Sequence, residues 1–378
     1  MNKDKIIFVC IYLGVMAFML WYNLSHVPVN DGVLEYQAYQ MNVAEGWEYR
    51  ESNILNSCLI TTWIPAELHS ATGWDEYTLF RVFPCFFYPL MPAFTFLIAR
   101  RYLNKHQSLI AAFVVIAGSF IIFFPDMGRV GVSWGFLAGM IWALLERRWW
   151  WSLIFAVLIV FSHYGNTLIA IGVIGILFLS QLVIKRRFIK QFAVVLAVLI
   201  IITGVWHFWI AGSSGFTVGK NFLSIGDAPT LLDQGDDYWF NIEAREGVLQ
   251  EAFGLNYSDM NIPQRIELVA NWVMVIFITV GMILLILKKQ GDFDTRVLAV
   301  ILYSLIIITA AIPWFSVYYG AQRVYFTALI IIAPCFYLAV KYIARIFRMP
   351  SYGLAGVVFI PYVLSVSGLI YLPFGVVK

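Results

Sequence analysis

Apolar residues in this chain gather into long unbroken runs, without the alternating or one-sided spacing of half-buried soluble elements. Runs of bilayer length sit at about residues 6–23, 82–99, 108–124, 130–145, 149–162, 166–184, 191–211, 268–287, 297–313, 324–340 and 353–373. A helix needs about 20 apolar residues to cross the hydrocarbon core. The pattern therefore predicts an all-α, polytopic membrane protein with about eleven transmembrane helices, forming a single transmembrane domain over residues 1–378. The fifth run is short, and the passage from the ninth to the tenth is irregular around Pro313. The first run follows a charged start, as a signal peptide would. It is too long for one, and Leu24-Ser25-His26-Val27 offers no small-x-small cleavage site, so a retained first span is expected.

Two long segments interrupt the runs. Residues 24–81 contain two stretches with helix-like apolar spacing, 33–46 and 54–70, accompanied by Trp47, Trp63 and Trp74. Such segments lie in the interface plane with aromatics at headgroup depth, so in-plane helices are expected in this first external loop. The second loop, residues 212–267, is glycine-rich, then acidic at Asp233, Asp236 and Asp237, then helical in pattern over 243–253. No internal repeat is visible, which argues against an inverted-repeat transporter.

Composition strengthens this picture. The chain is 61% hydrophobic and 12% charged, about half the charge of a soluble domain and too little to coat a globule. There is no basic stripe or basic-aromatic module, so nucleic acid is excluded as a partner. The four cysteines, Cys10, Cys58, Cys85 and Cys335, form no CxxC pair or metal spacing, and the three in or beside apolar runs read as small buried residues.

The net charge of +3 is small, so placement carries the information. One face collects Lys3, Lys5, Arg100, Arg101, Lys105, Arg147, Arg148, Lys185, Arg186, Arg187, Lys190, Lys288, Lys289, Arg296, Lys341, Arg345 and Arg348. These are 17 of the 25 Lys and Arg, all in short loops beside span ends. The other face holds 8 basic residues but 18 of the 22 acids. The positive-inside rule puts the basic face in the cytoplasm. The expected topology is a multi-pass protein of the cytoplasmic (plasma) membrane, N-terminus inside and C-terminus outside.

Ionisable residues near the membrane interior are costly and usually have a task. Five groups fall at outward span ends. Asp31 and Glu35 follow the first span in Asn30-Asp31-Gly32-Val33-Leu34-Glu35-Tyr36, at a spacing that puts both carboxylates on one helix face. Arg81 opens the second span. Asp126 and Arg129 form the turn Pro125-Asp126-Met127-Gly128-Arg129. His163 and Tyr164 follow the short fifth span in Ser162-His163-Tyr164-Gly165-Asn166. Tyr319 and Arg323 lie in the aromatic bend that runs from Pro313 to Tyr325. Carboxylates, guanidiniums and a histidine at one leaflet suit transfer chemistry on a lipid-linked phosphate: a base, an anion clamp and hydrogen-bond donors. Blander readings stand beside each: Arg81 and Arg129 snorkelling to headgroups, Glu35 on a solvated helix face, His163 filling a helix kink, Arg323 in a structural pair.

Taken in order, these motifs resemble the GT-C superfamily of integral-membrane glycosyltransferases. More narrowly they resemble an uncharacterised, largely archaeal polytopic family with Asp-x-x-x-Glu-Tyr, Ser-His-Tyr and Arg-x-Tyr at comparable places. The resemblance covers about residues 25–335. It implies an inverting transfer of a sugar from a polyprenyl-phosphate donor to a glycan, lipid or protein acceptor on the outer face. It maps the catalytic acid onto Asp31 and phosphate contacts onto Arg129, His163 and Arg323. Glu35, Arg81, Tyr164 and Tyr319 complete the expected substrate contacts. No metal ligands are assigned and no cofactor is implied, although a divalent cation remains open. The chain departs from better-known members in having no soluble domain after the last span and one Asp where some have an acidic pair. Other readings are a lipid or glycan flippase or transporter, a non-catalytic partner of a polysaccharide-assembly complex, and an O-antigen polymerase or ligase type of transferase.

Overall fold

The computed structural model describes residues 3–25, 31–48, 54–119, 128–211, 257–258, 260–311, 321–367 and 369. All regular structure among these residues is helical. Eight helical stretches are long and apolar enough to cross a membrane: Lys3–Ser25, Glu76–Ala99, Gly128–Leu145, Tyr164–Val183, Lys190–His207, Ile262–Leu287, Phe293–Ala310 and Arg323–Ile346. Three shorter apolar helices, Lys105–Gly118, Trp149–Ser162 and Ser351–Val366, fall on the third, fifth and eleventh hydrophobic runs. The architecture is that of a helical, multi-pass membrane protein.

By its contacts the chain forms two compact units. The first comprises Met1–Ile98 with Phe123–Gly219, and the second Ala99–Ile122 with Lys220–Lys378. In the first unit, α1 (Lys3–Ser25) leads to three helices of the first loop: α2 (Asp31–Glu45), α3 (Trp63–Thr72) and α4 (Glu76–Val82). Tyr36, Tyr39 and Val43 recur at helical spacing on α2 and pack with Ala66 of α3 and Phe80 of α4. The amphipathic pattern of this loop is thereby used in packing. The second expected span starts earlier than residue 82 and is not one smooth helix. A 3-10 turn at Phe83–Phe86 joins α4 to α5 (Leu90–Ala99). Pro84 and Pro89 each lack the N–H that an uninterrupted helix would use.

α7 (Gly128–Leu145) is the buried centre of the first unit, packed against α8 (Trp149–Ser162). Small residues make that possible. A Cβ on Gly135 would lie 2.6 Å from the Phe87 carbonyl, and one on Gly139 2.8 Å from the Phe155 ring. The Phe94 ring fills the space beside it, 5.1 Å from Trp142 and 5.4 Å from Phe155. α9 (Tyr164–Val183) and α10 (Lys190–Thr203) follow, and α10 continues into a π-helical turn at Gly204–Ile210.

In the second unit, α13 (Ala321–Ile346) packs against α6 (Lys105–Ser119), α11 (Ile262–Leu287), α12 (Phe293–Ala311) and α14 (Ser351–Val366). α11 begins with a capping box between Asn261 and Gln264, which satisfies two helix-end donors reciprocally. The closest approach is at Gly281 of α11, where a Cβ would sit 1.7 Å from the Cys335 carbonyl. Hydroxyl pairs add Thr279 to Tyr303 at 2.6 Å and Tyr337 to Ser351 at 3.0 Å. Arg101 pairs with Asp292, whose Oδ1 also accepts the Thr295 N–H at 2.8 Å.

The basic residues of the expected cytoplasmic face have a conformational signature. Among the described residues, the non-glycine positions with positive φ are Arg147, Arg186, Lys289 and Arg348. Arg147, Lys289 and Arg348 are each followed by a helix-ending bond, from Arg148 N–H to Ala143 O, Gln290 N–H to Leu285 O and Met349 N–H to Ala344 O. Glycine is the cheap residue for such a cap, and a side chain there costs about 1–2 kcal/mol. A cation at the negative end of the helix dipole offsets part of that cost.

Candidate functional site

The site grows from the start of α7. Glu35, one turn into α2, is 1% exposed. Its Oε2 accepts the Arg129 backbone N–H at 3.1 Å, and its Oε1 lies 3.7 Å from Arg129 Nε. A carboxylate at a helix N-terminus meets orphan N–H groups and the positive end of the dipole. Gly128 is required for this approach, because a Cβ there would fall 2.6 Å from Glu35 Oε2. Glu35 is therefore not on a solvated face, and Arg129, 4% exposed, does not snorkel into water. Each holds the other in place.

His163 connects to the same helix end. It breaks the chain between α8 and α9 with extended backbone, φ −162° and ψ 119°. Its Nδ1 accepts the Asn166 N–H at 3.1 Å, which places the proton of the neutral ring on Nε2. Asn166 Nδ2 reaches back to α7, donating to Ser133 Oγ and to Val130 O. The N-termini of α7 and α9 are thus tied together by one amide. Tyr164 stacks on His163 with centroids 4.9 Å apart and meets the His207 ring edge-on at 6.5 Å. His207, in the π-helical turn, is held 3.1 Å from Val160 O.

A fourth segment closes the group. The Ile60 N–H donates to Phe161 O at 3.2 Å, pinning the chain after the 3-10 turn Ile54–Ser57 to the end of α8. Trp206 donates from Nε1 to Ser57 O at 3.0 Å and stacks on Trp47 at 5.3 Å. This brings buried Cys58 beside the pair. Burial pushes its thiol up to about 11, with the Arg129 charge opposing and the Glu35 carboxylate reinforcing the shift. Burial of this kind favours the neutral thiol over the thiolate.

Four stretches distant in sequence therefore converge on Glu35, Arg129 and His163. The α7 N-terminus and the Arg129 guanidinium meet the Glu35 carboxylate there, and Asn166 joins the N-terminus of α9 to the same end of α7; helix N-termini and guanidinium are groups that suit anions. Two other expected residues are described with contacts of their own. Arg81 is buried at the end of α4, with its guanidinium over the Tyr77 ring at 5.1 Å and Nη1 donating to the Tyr77 hydroxyl at 3.3 Å. Arg323 belongs to the second unit, in the first turn of α13, where its carbonyl accepts the Thr327 hydroxyl at 2.8 Å. Asp31 opens α2, but its side chain lies outside the described residues. So do Asp126, Tyr319, the bend around Pro313 and the acidic and helical stretches of the second loop.

Gly128, Asn166, Ser133, Cys58 and the His207 turn were not singled out by sequence reasoning. Asn166 and Ser133 carried a usable signal, being polar residues inside apolar runs. Cys58 and His207 carried none, since their proximity is purely tertiary. Among the described residues no group of three His, Cys, Asp or Glu side chains is placed to hold a metal ion. No family model and no curated protein sequence matches this chain.

Proposed function

We propose that the chain is an inverting glycosyltransferase of the GT-C kind, using a polyprenyl-phosphate sugar at the outer end of the first unit. The observation that carries this reading is the buried Arg129, held by Glu35 at the point where the N-termini of α7 and α9 meet. A phosphate is the anion such a site suits: guanidinium binds it bidentately, and helix N-termini add oriented N–H donors. His163, with its Nδ1 occupied by Asn166, offers Nε2–H as a further donor. Asp31 precedes Glu35 by one helical turn on α2 and takes the role of base. The acceptor hydroxyl oxygen attacks the anomeric carbon and gives its proton to Asp31. The bond from that carbon to phosphate oxygen breaks, and the lipid phosphate leaves with the electron pair. Arg129 and the helix ends stabilise the growing charge, an effect that a preorganised site delivers without reorganisation. Glu35 serves as a positioning residue for Arg129. Eleven spans, an inside N-terminus and an outside C-terminus belong to the same reading, because they put this helix end outside.

The test is transfer in proteoliposomes offered a panel of polyprenyl-phosphate sugars, with released polyprenyl phosphate as the readout. Asp31→Asn keeps the shape and removes the base, so turnover should fall roughly 10²–10⁴-fold at an unchanged unfolding temperature. Undiminished turnover in that variant, or no turnover in the wild type with any donor, overturns the proposal.

A non-catalytic partner in glycan assembly is the second reading, favoured by the fact that the Glu35–Arg129 pair by itself staples α2 to α7. Arg129→Lys separates the two. Lysine retains the charge but not the fork, so donor binding should drop while folding persists if the anion site is real.

A further inference from the structure

The second unit carries a different concavity, about 400 Å³ in volume, at the ends of α11 and α13 where the short basic loops lie. Three of its lining residues are cations: Lys288 at the C-cap of α11, and Lys341 and Arg345 one turn apart on α13. None of its lining residues is acidic. Among the described residues, none of the three cations is in an ion pair, and the nearby Asp292 is engaged by Arg101. Like charges one turn apart repel, and here a third converges on the same space. Tyr102 and Tyr342 also line the cavity, and the Tyr102 hydroxyl is buried without a hydrogen-bond partner among the described residues. Leu284 and Leu338 form an apolar part of the wall, while Leu287, next in sequence to Lys288, and Phe347, two residues after Arg345, are 71% and 68% exposed.

We propose that this cavity binds the headgroup phosphate of an anionic phospholipid, its acyl chains lying against the exposed apolar side chains at the rim. Basic pockets between transmembrane helices on the cytoplasmic side suit such headgroups. Free phosphate shares the headgroup chemistry, but would leave the exposed leucine and phenylalanine without a role. This site is independent of the donor site and of any catalytic activity.

The test uses the delipidated full chain in non-ionic detergent, titrated with phosphatidylglycerol or with phosphatidylcholine of the same acyl chains and read by native mass spectrometry. The wild type should retain phosphatidylglycerol preferentially. The Lys288→Gln/Lys341→Gln/Arg345→Gln variant should weaken that binding by about fivefold per cation, roughly a hundredfold in all. The Lys185→Gln/Arg186→Gln/Lys190→Gln variant, altered in another basic loop, should bind as the wild type does. Excess inorganic phosphate should leave the bound lipid in place. Equal retention of the two lipids by the wild type overturns the site without reliance on any variant. Equal losses in both triple variants reduce it to general surface charge and also overturn it. Displacement by inorganic phosphate would assign the cavity to a soluble anion and overturn the lipid.

Discussion

At the scale of single residues, the chemistry of this protein turns on charges that are buried and held. Breaking the Glu35–Arg129 pair by Glu35→Ala should cost about 3–5 kcal/mol, because a desolvated guanidinium loses its counter-charge. Replacing both by apolar groups, Glu35→Leu with Arg129→Met, should restore most of that stability and still abolish donor binding. Unfolding temperature in detergent and donor retention, measured on the same three proteins, check both halves. A double variant as unstable as the single one would show that the pair is needed to fold the unit. Gly128→Ala tests the cradle itself. Its Cβ would lie 2.6 Å from Glu35 Oε2, so the carboxylate must move off the α7 N-terminus, at a cost of about 1–3 kcal/mol.

At the scale of elements, close helix packing depends on where small residues fall. At Gly281 the Cys335 carbonyl leaves a Cβ only 1.7 Å, and a backbone carbonyl cannot swing aside as a side chain can. Gly281→Ala should force α11 away from α13 and destabilise by about 3 kcal/mol, the upper end of overpacking penalties. Gly172 in α9 has nothing within 4 Å of its would-be Cβ. Gly172→Ala should therefore stabilise by about 0.5–1 kcal/mol through helix propensity alone. Thermal unfolding of the two variants side by side decides whether the contact, and not glycine as such, matters. The apolar runs announced both helices. Which glycine of each would meet a neighbour's backbone was not legible, because that depends on helix rotation about its axis.

At the scale of the whole molecule, sidedness and pH response are the measurable properties. With Cys10 replaced, external thiol reagents should label engineered cysteines at residues 40–70 that are exposed, and those at 225–250. They should miss sites at 102–106 and 288–295. External labelling at 288–295 would reverse the orientation and remove the proposed donor site from the outer face. Asp292 lies in that same segment. Burial opposes its ionisation, yet hydrogen bonds from Thr295 and the Arg101 charge outweigh it and hold the carboxyl below its ordinary value. A lowered folded-state value means the charged form is favoured by folding. Its contribution is present above the unfolded value of about 3.9 and is lost as pH falls through the lower folded value. The unfolding temperature of wild type should therefore exceed that of Asp292→Asn at neutral pH, and the gap should close only below about pH 4. A gap unchanged at lower pH would show that the asparagine acts through packing and not through charge.

The chain by itself determined its helical class, the positions of the apolar helices and the concentration of cations at one set of their ends. Hydrophobicity over a run of residues is additive and local, so it can be read without knowing any neighbour. The same locality did not show that the second span begins at Glu76 and passes through a 3-10 turn at Phe83–Phe86, beside Pro84 and Pro89. Nor could it decide Glu35, which pattern alone left between a site residue and a solvated helix face. Only the tertiary structure decided that Glu35 turns inward onto a helix 94 residues away, that Asn166 ties α9 to α7, and that Cys58 lies beside the pair. The backbone of α2 offers its carboxylate equally to water or to α7. The choice was made by Tyr36, Tyr39 and Val43 packing onto α3 and α4, which fixes the rotation of α2, and by the missing side chain at Gly128.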